Sequence, residues 1–206
     1  MSSLDLERFN EWWFTGKLRK ELAPSFRRHA FGRILQSLGE RQILLLTGLR
    51  RVGKTTLLYQ AIDRLLETVD PKRMLYFSFD ELTADPKEVL GIYEKQILRK
   101  PFEEAGKVYV FFDEIQYSDH WPSVVKRFYD LYPNVKFILS GSSSLLLSKK
   151  ATDKLAGRFF FQELRALAFL EFLEMKGIRG DIGGYPRRAE TYFHDYLTKA
   201  GFPEII

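Results

Sequence analysis

Residues 43–55 read Ile-Leu-Leu-Leu-Thr-Gly-Leu-Arg-Arg-Val-Gly-Lys-Thr, and this stretch decides the fold. Its first four residues are all apolar, which is typical of a strand with both faces buried. After Thr55, apolar residues recur at the spacing of one helix face: Leu57, Leu58, Ala61, Ile62, Leu65 and Leu66. The stretch therefore predicts a buried strand, a short loop with a glycine near each end, and a helix that packs against the sheet.

The loop between strand and helix matches the pattern G-x-x-x-x-G-K-[ST] at every fixed position. Gly48 and Gly53 allow the backbone to wrap closely, so that its N–H groups point inward, and the start of the helix adds partial positive charge. This arrangement is suited to nucleotide phosphates, with Lys54 reaching the β- and γ-phosphates and Thr55 binding Mg²⁺. We predict these nucleotide-binding residues: Gly48, Leu49, Arg50, Arg51, Val52, Gly53, Lys54, Thr55 and Thr56.

A second apolar stretch, residues 108–112, is followed directly by Asp113 and Glu114. Ligands of parallel α/β sheets bind at the edge where the strands end, so both carboxylates are expected there. We predict that Asp113 holds Mg²⁺ through its waters and that Glu114 polarises the attacking water. Such a pair also occurs as a helix cap or a surface turn, but the glycine loop upstream favours the catalytic interpretation.

The nucleotide is predicted to be ATP. A GTP-binding chain would normally contain an Asn-Lys-x-Asp string, and the sequence has none.

The sequence also has a third polar stretch, in which a strand ends in Ser-Gly-Ser-Ser-Ser at 140–144. Ser140 and Ser142 are candidates for contact with the γ-phosphate or the attacking water. The alternative is that they cap a helix over residues 145–148.

Strands and helices alternate along the chain, which predicts a parallel sheet with helices on both faces. The expected strands are 42–47, 74–79, 107–112, 135–139 and 159–164. The expected helices besides the one after the loop are 4–20, 26–38, 86–99, 123–132, 167–176 and 189–199. We divide the chain into an N-terminal helical extension (1–25), a core (26–165) and the start of a helical lid (166–206).

The composition excludes several other classes of protein. The 206 residues are 45% hydrophobic and contain no cysteine, so disulfides and thiolate metal sites are excluded. No apolar run is long enough for a membrane span, and the first residues do not resemble a signal peptide, which leads us to expect a cytoplasmic protein. The net charge of +5 is modest and more typical of a solvated surface than of a nucleic-acid site, although nucleic acid stays possible.

With these motifs in view, the chain resembles the archaeal and bacterial AAA-type ATPases related to the signal-transduction (STAND-like) ATPases. The matching strings are residues 47–58, 112–116, 139–143, 155–158 and 201–204. The resemblance implies a P-loop NTPase three-layer α/β sandwich with five parallel strands in the order 5-1-4-3-2 and a partial helical lid. It also implies an ATP-driven switch whose variable C-terminal domain would meet an unidentified protein partner.

Three further residues are assigned by this resemblance alone. Arg158 matches a position whose guanidinium approaches the phosphates, from its own chain or from a neighbour, with a surface ion pair as the alternative. Gly201 and Pro203 resemble a lid motif in which the proline packs on adenine, with an ordinary turn as the alternative. The sequence ends at Ile206, where we expect the lid to continue.

Three function classes follow from these observations. The leading one is an ATP-hydrolysing switch or motor, favoured because Glu114 stands beside Asp113. The second is a regulatory module that binds ATP with negligible turnover. The third is an ATPase stimulated by nucleic acid. Measurement of ATP turnover with and without DNA separates the three.

Overall fold

The computed structural model describes residues 5–142, 153–178, 186–199 and 201–203. All the strand pairings of its five-stranded sheet are parallel, and the strand order is β2-β3-β4-β1-β5. The predicted order 5-1-4-3-2 is therefore confirmed. The strands are β1 (Ile43–Thr47), β2 (Met74–Ser78), β3 (Val108–Asp113), β4 (Val135–Gly141) and β5 (Phe159–Glu163).

Helices connect the strands, as a parallel sheet requires. Within the described ranges they are α1 (Trp12–Thr15), α2 (Phe31–Gly39), α3 (Lys54–Leu66), α4 (Pro86–Ile92), α5 (Trp121–Leu131), α6 (Phe169–Met175) and α7 (Pro186–Thr198). A wide π-helical turn, Tyr93–Leu98, continues α4 and ends at Arg99. No helix in the described part of the chain is long and apolar enough to cross a bilayer.

Burial follows the strand order. Every residue of β1, β2, β3 and β4 is buried, whereas β5 has only half-buried and exposed positions. Both β2 and β5 lie at an edge of the sheet, but the N-terminal segment covers β2, with Asn10 bonded to its backbone and Trp12 and Trp13 buried beside it. The continuous apolar runs of the sequence are thus the signature of this sheet.

The predicted helix over residues 4–20 is wrong. The described part of this segment folds as a single 3₁₀ turn followed by the four-residue helix α1, which ends at Gly16. Asn10 explains the irregular fold, because its side chain donates to the carbonyl of Tyr76 (2.9 Å) and accepts from the Tyr76 N–H (2.7 Å). Asn10 therefore satisfies the free edge of β2, and Trp12 and Trp13 are buried beside it.

The helix expected from residue 26 begins only at Phe31. The preceding segment is held instead by Gln60 of α3, whose side-chain amide donates to the carbonyls of Pro24 and Phe26, both at 2.8 Å. These bonds fix the segment across α3 and delay the start of α2. The segment thereby comes to lie beside the glycine loop.

Helices α6 and α7 follow the sheet and pack around a small apolar cluster of their own. The buried members are Leu167, Phe172 and Leu173, and Phe26 packs against them from the N-terminal side. The division of the chain into extension, core and lid stays a prediction.

Candidate functional site

A cavity of about 740 Å³ lies over the glycine loop at the carboxyl end of β1. Seven of the predicted nucleotide-binding residues line it, from Arg50 to Thr56, together with Glu114. The segment before α2 contributes Pro24, Phe26 and Arg28, and the C-terminal helical part contributes Met175 and Pro203. The cavity therefore lies between the sheet, the segment before α2 and the C-terminal helices.

The loop's first glycine is required by close backbone packing. Gly48 has φ +156°, and a β-carbon there would lie only 2.2 Å from the carbonyl oxygen of Leu164. Leu164 approaches this closely because its N–H donates to the carbonyl of Thr47 at 2.7 Å, which continues the pairing of β5 with β1. Any larger residue would push the loop away from the sheet.

Lys54 is buried, and its amino group lies inside the loop. Its Nζ donates to the carbonyls of Gly48 (3.2 Å) and Leu49 (2.9 Å) and is 3.3 Å from Oε1 of Glu114. Gly48 and Leu49 do not line the cavity. They contribute to the site through their carbonyls, which hold the amino group of Lys54. The positive charge is placed where the phosphates of a nucleotide would need it.

The carboxylate of Asp113 joins three elements of the site. It accepts hydrogen bonds from the hydroxyls of Thr55 on α3 (2.6 Å to Oδ2), Tyr76 on β2 (3.0 Å to Oδ2) and Ser140 on β4. Asp113 is 2% exposed, so these donors replace the water that a carboxylate requires. The structure thereby brings together three of the candidate residues, Thr55, Asp113 and Ser140, although a contact between Ser140 and Asp113 was not predicted.

Tyr76 was not among the predicted site residues. Burial, followed by the nearby Asp113 carboxylate, raises the pKa of Tyr76 well above its usual value, so its hydroxyl keeps the proton that it donates. The neighbouring Tyr59, whose ring centroid is 4.6 Å away, has a pKa raised to about 12, chiefly by burial. An isolated tyrosine in an apolar strand carries no local signal for this role.

Glu114 takes an unusual backbone conformation, with φ 50° and ψ 44°. A non-glycine residue in this left-handed region costs about 1–2 kcal/mol, and such residues cluster at functional sites. In this conformation the side chain comes within ion-pair distance of Lys54. The second carboxylate oxygen accepts a hydrogen bond of 2.5 Å from Gln116, whose own oxygen accepts from the N–H of Ser142 at 3.4 Å.

The oxygen donors at the site suit Mg²⁺, which prefers hydroxyl and carboxylate ligands and usually keeps several waters. The adjacent Thr55 hydroxyl and Asp113 carboxylate provide such a pair. Among the described residues there is no group of three or more His, Cys, Asp or Glu that could hold a metal alone. These residues therefore fit a cation shared with a phosphate, and not a closed protein site.

One arginine that the sequence analysis missed connects several parts of the site. Arg28 is buried and donates to the carbonyls of Val52 (2.8 Å) and Arg165 (2.9 Å) and to both carboxylate oxygens of Glu171 (2.9 and 3.1 Å). Burial raises the pKa of Glu171, but hydrogen bonds from Arg28 and from two backbone amides outweigh it, so the pKa is lowered overall. Neighbours so far apart in sequence leave no motif.

The structure does not bring Arg158 to the glycine loop of its own chain. Its carbonyl accepts from the N–H of Ile43 at the amino end of β1, whereas the loop follows the carboxyl end. Its guanidinium pairs with Asp130 (Nε to Oδ1, 2.8 Å). We correctly expected β5 to lie beside β1. Arg158 precedes β5, however, and residues that precede parallel strands lie at the amino ends of the strands, opposite the glycine loop. An approach from a neighbouring chain stays a prediction.

The predicted residues that remain are Gly201 and Pro203 of the lid motif and Ser142 after β4. Pro203 lines the cavity, but Gly201 packs away from it: a β-carbon there would lie 2.9 Å from the carbonyl oxygen of Leu167 and 3.2 Å from the Tyr196 ring. Residues 143 and 144, and the helix considered over 145–148, lie outside the described residues. The cap alternative for Ser142 is therefore not tested.

The fold and the loop together define the class: a P-loop α/β nucleotide-binding domain. Residues 40–173 match the family model described as an AAA domain. The match covers more than half of the chain, and the chain belongs to this family. The more specific STAND-like relationship stays a prediction.

The chain also has curated relatives, which are named only as uncharacterized proteins. The chain is similar to uncharacterized protein MJ1637 of Methanocaldococcus jannaschii, with 36% identity over 65% of this chain and 28% of that protein. It is also similar to uncharacterized protein MJ1544 of the same organism, with 32% identity over 80% of this chain and 36% of that protein. The chain thus spans about a third of the length of these relatives.

A solved structure with the same fold is the Aeropyrum pernix ORC1 protein in complex with DNA. Its TM-score is 0.53 at 15% sequence identity, over 77% of this chain and 52% of that chain. At this level of identity the likeness shows the fold alone. Together, the family and the fold support a nucleotide-binding ATPase domain.

Proposed function

We propose that this domain binds ATP with Mg²⁺ in the cavity over the glycine loop and hydrolyses the β–γ phosphoanhydride bond. The observation that carries the proposal is the convergence of four groups at one edge of the sheet. The Thr55 hydroxyl lies 2.6 Å from Asp113, and the Lys54 ammonium lies 3.3 Å from Glu114. These pairs supply the metal ligands, the phosphate-binding cation and the base that phosphoryl transfer to water requires.

Each group has a separate role in the proposal. The loop's N–H groups and Lys54 bind the phosphates, and Thr55 and Asp113 hold the cation. Bound Mg²⁺ would neutralise charge on the phosphate oxygens. Glu114 accepts the proton of the attacking water, and Gln116 orients its carboxylate through the 2.5 Å hydrogen bond. Ser140 acts indirectly, because its hydroxyl is bound to Asp113.

The base of the nucleotide is assigned to the part of the cavity lined by Pro24, Phe26 and Gln60. Gln60 lines the cavity there with Pro24 and Phe26, and its two amide hydrogens are committed to their carbonyls. The absence of an Asn-Lys-x-Asp string from the sequence supports ATP over GTP. Pro203 also lines the cavity, which supports the proposal that it packs on the same base.

We further propose that hydrolysis serves a switch and not a metabolic reaction. The cavity is bounded by the C-terminal helices as well as by the sheet, so nucleotide occupancy can change how these helices pack. The curated relatives are about three times longer than the part that matches this chain. We propose that the protein partner of the switch contacts the part of such a protein that lies outside the matched domain.

Equilibrium titration tests the binding proposal directly. Fluorescent ATP and GTP analogues are titrated into the chain with Mg²⁺, and the ATP titration is repeated with EDTA. We expect saturable ATP binding, weaker GTP binding, and weaker ATP binding with EDTA, because Mg²⁺ neutralises charge on the phosphate oxygens. Equal affinity for the two nucleotides would contradict the assignment of ATP. Absence of binding to both would contradict the proposed function.

A further inference from the structure

A single buried guanidinium, that of Arg28, contacts three separate parts of the domain. Arg28 is 8% exposed and uses all of its nitrogen atoms as donors. Nη1 donates to the carbonyl of Val52 (2.8 Å), Nη2 to that of Arg165 (2.9 Å), and Nε and Nη2 to Glu171. One of these partners, Val52, belongs to the glycine loop.

The contact with Val52 constrains the orientation of the next N–H. In a planar trans peptide, the carbonyl of Val52 and the N–H of Gly53 point in opposite directions. A donor fixed on the carbonyl therefore directs the Gly53 N–H away from Arg28. Gly53 lines the cavity and takes φ +96°, a conformation that glycine adopts readily and other residues rarely.

The guanidinium is itself held by a fully occupied carboxylate. Oε1 of Glu171 accepts from Arg28 and from the N–H of His29 (2.8 Å), and Oε2 accepts from Arg28 and from the N–H of Ala168 (3.2 Å). Glu171 lies in α6 and is 5% exposed. Arg28 is thus tied to the first turn of α6 on one side and to the glycine loop on the other.

We propose that Arg28 is a positioning residue that orients the Val52–Gly53 peptide for phosphate binding and ties that orientation to α6 through Glu171. The inference rests on the proposed binding of a nucleotide at this loop. Arg28 increases the partial positive charge of the Gly53 N–H, because a hydrogen bond to a carbonyl polarises the whole peptide unit. Movement of α6 would shift Arg28 and thereby change the affinity of the loop for phosphate.

Loss of one partner of a buried ion pair is strongly destabilising, so the test removes both charges together. Replacing such a pair by apolar residues of similar size often leaves stability unchanged. The variant Arg28→Met/Glu171→Met is compared with Arg41→Met. Arg41 is the matched control because its guanidinium also donates to a backbone carbonyl, that of Tyr129 at 3.1 Å, but lies before β1, at the edge of the sheet opposite the cavity.

Three measurements are made on each protein: the Kd for ADP with Mg²⁺, the ¹⁵N shift of the Gly53 amide without nucleotide, and the urea midpoint. For the double variant we expect at least about 10-fold weaker ADP binding, the loss typical of a charged hydrogen bond, and a moved Gly53 resonance. Its urea transition should stay cooperative but with a lower midpoint, because backbone groups of Val52, Arg165, His29 and Ala168 lose a side-chain partner. Arg41→Met should match the parent in ADP affinity and in the Gly53 resonance. If the double variant does not fold, Arg28→Lys replaces it, because lysine keeps the charge without the fork that reaches both partners.

The outcomes separate this inference from the proposed function. If the parent binds ADP and the folded variant binds it equally, the inference is overturned and the proposed function stands. Weaker binding with an unmoved Gly53 resonance would show general loosening and would also overturn it. If the parent binds neither ATP nor ADP, the proposed function fails, and the inference fails with it.

Discussion

Asp113 shows how one side chain can organise a site at the residue scale. Its position after an apolar strand was enough to predict a carboxylate at the ligand edge of the sheet, and the Thr55 contact confirms that the two lie together. The Tyr76 contact was not predicted, because the predicted strand order placed β2 beside β3 but did not give the register, in which Ser78 pairs with Asp113 and Tyr76 lies two residues earlier. Local motifs identify the residues of one segment, but they do not identify partners that other segments supply.

Lys54→Ala tests the phosphate-binding role of the loop. The variant removes the buried ammonium that the carbonyls of Gly48 and Leu49 hold, so ATP affinity should fall at least about 10-fold while the fold is kept. Isothermal titration with ATP and far-UV circular dichroism measure both. Lys87→Ala is the matched control, since Lys87 is an exposed lysine in the first turn of α4. A folded Lys54→Ala protein with parental ATP affinity would contradict the assignment.

At the scale of elements, β4 carries a lysine in the sheet interior. Lys136 is 1% exposed, and its amino group donates to the carbonyl of Gln42. Burial, followed by the charge of Lys107, lowers the pKa of Lys136 to about 8, and Glu40 opposes the shift. Between pH 8 and 10.5 the unfolded chain therefore binds more protons at this residue than the folded chain, so stability rises with pH in that window.

We expect Lys136 to contribute an increase of about 2 kcal/mol in the free energy of unfolding between about pH 7.5 and 9.5, where only a minority of the unfolded chain's tyrosines are ionised. Urea denaturation at a series of pH values measures it. Lys136→Met should abolish most of the increase, whereas the exposed-lysine variant Lys126→Met should retain it. Parallel curves for the parent and Lys136→Met would show that Lys136 is protonated equally in both states.

The elements also show where prediction from sequence succeeds. The strand bounds were predicted to within two residues at each end, because a continuous apolar run of this length is buried most completely inside a parallel sheet. The predicted helix over residues 4–20 was wrong, because the side chain of Asn10 pairs with the backbone of Tyr76 at the edge of β2. The predicted start of α2 was wrong for a similar reason, because the Gln60 side chain holds the preceding segment through the carbonyls of Pro24 and Phe26. Both errors come from side chains that bind a backbone distant in sequence.

At the scale of the whole molecule, Arg158 lies away from its own cavity, so its predicted role at the phosphates would require a neighbouring chain. It lies at the sheet edge opposite the cavity, and hydrogen bonds from Arg158 and Lys126 lower the pKa of Asp130 to about 2, so the Arg158–Asp130 pair stays charged at neutral pH. Our prediction is that ATP turnover per chain rises with protein concentration and that Arg158→Ala removes this rise.

The control for this experiment is Arg165→Ala, which removes an exposed arginine paired with Glu163 and should leave the concentration dependence intact. The assay is run with and without double-stranded DNA, so that stimulation by nucleic acid is detected in the same series. Turnover that is independent of concentration in the parent, and equal in Arg158→Ala, would make Arg158 a surface ion pair.

The central claim is that this cavity hydrolyses ATP with Glu114 as the base, and phosphate release from Mg·ATP tests it most directly. The parent and Glu114→Gln are compared at saturating ATP, with ATP binding measured on the same samples. Thr55 and Asp113 are unchanged in the variant, so ATP should still bind, but phosphate release should fall about 100-fold or more with the loss of the base. Equal phosphate release by the two proteins, or none by the parent, would contradict the claim.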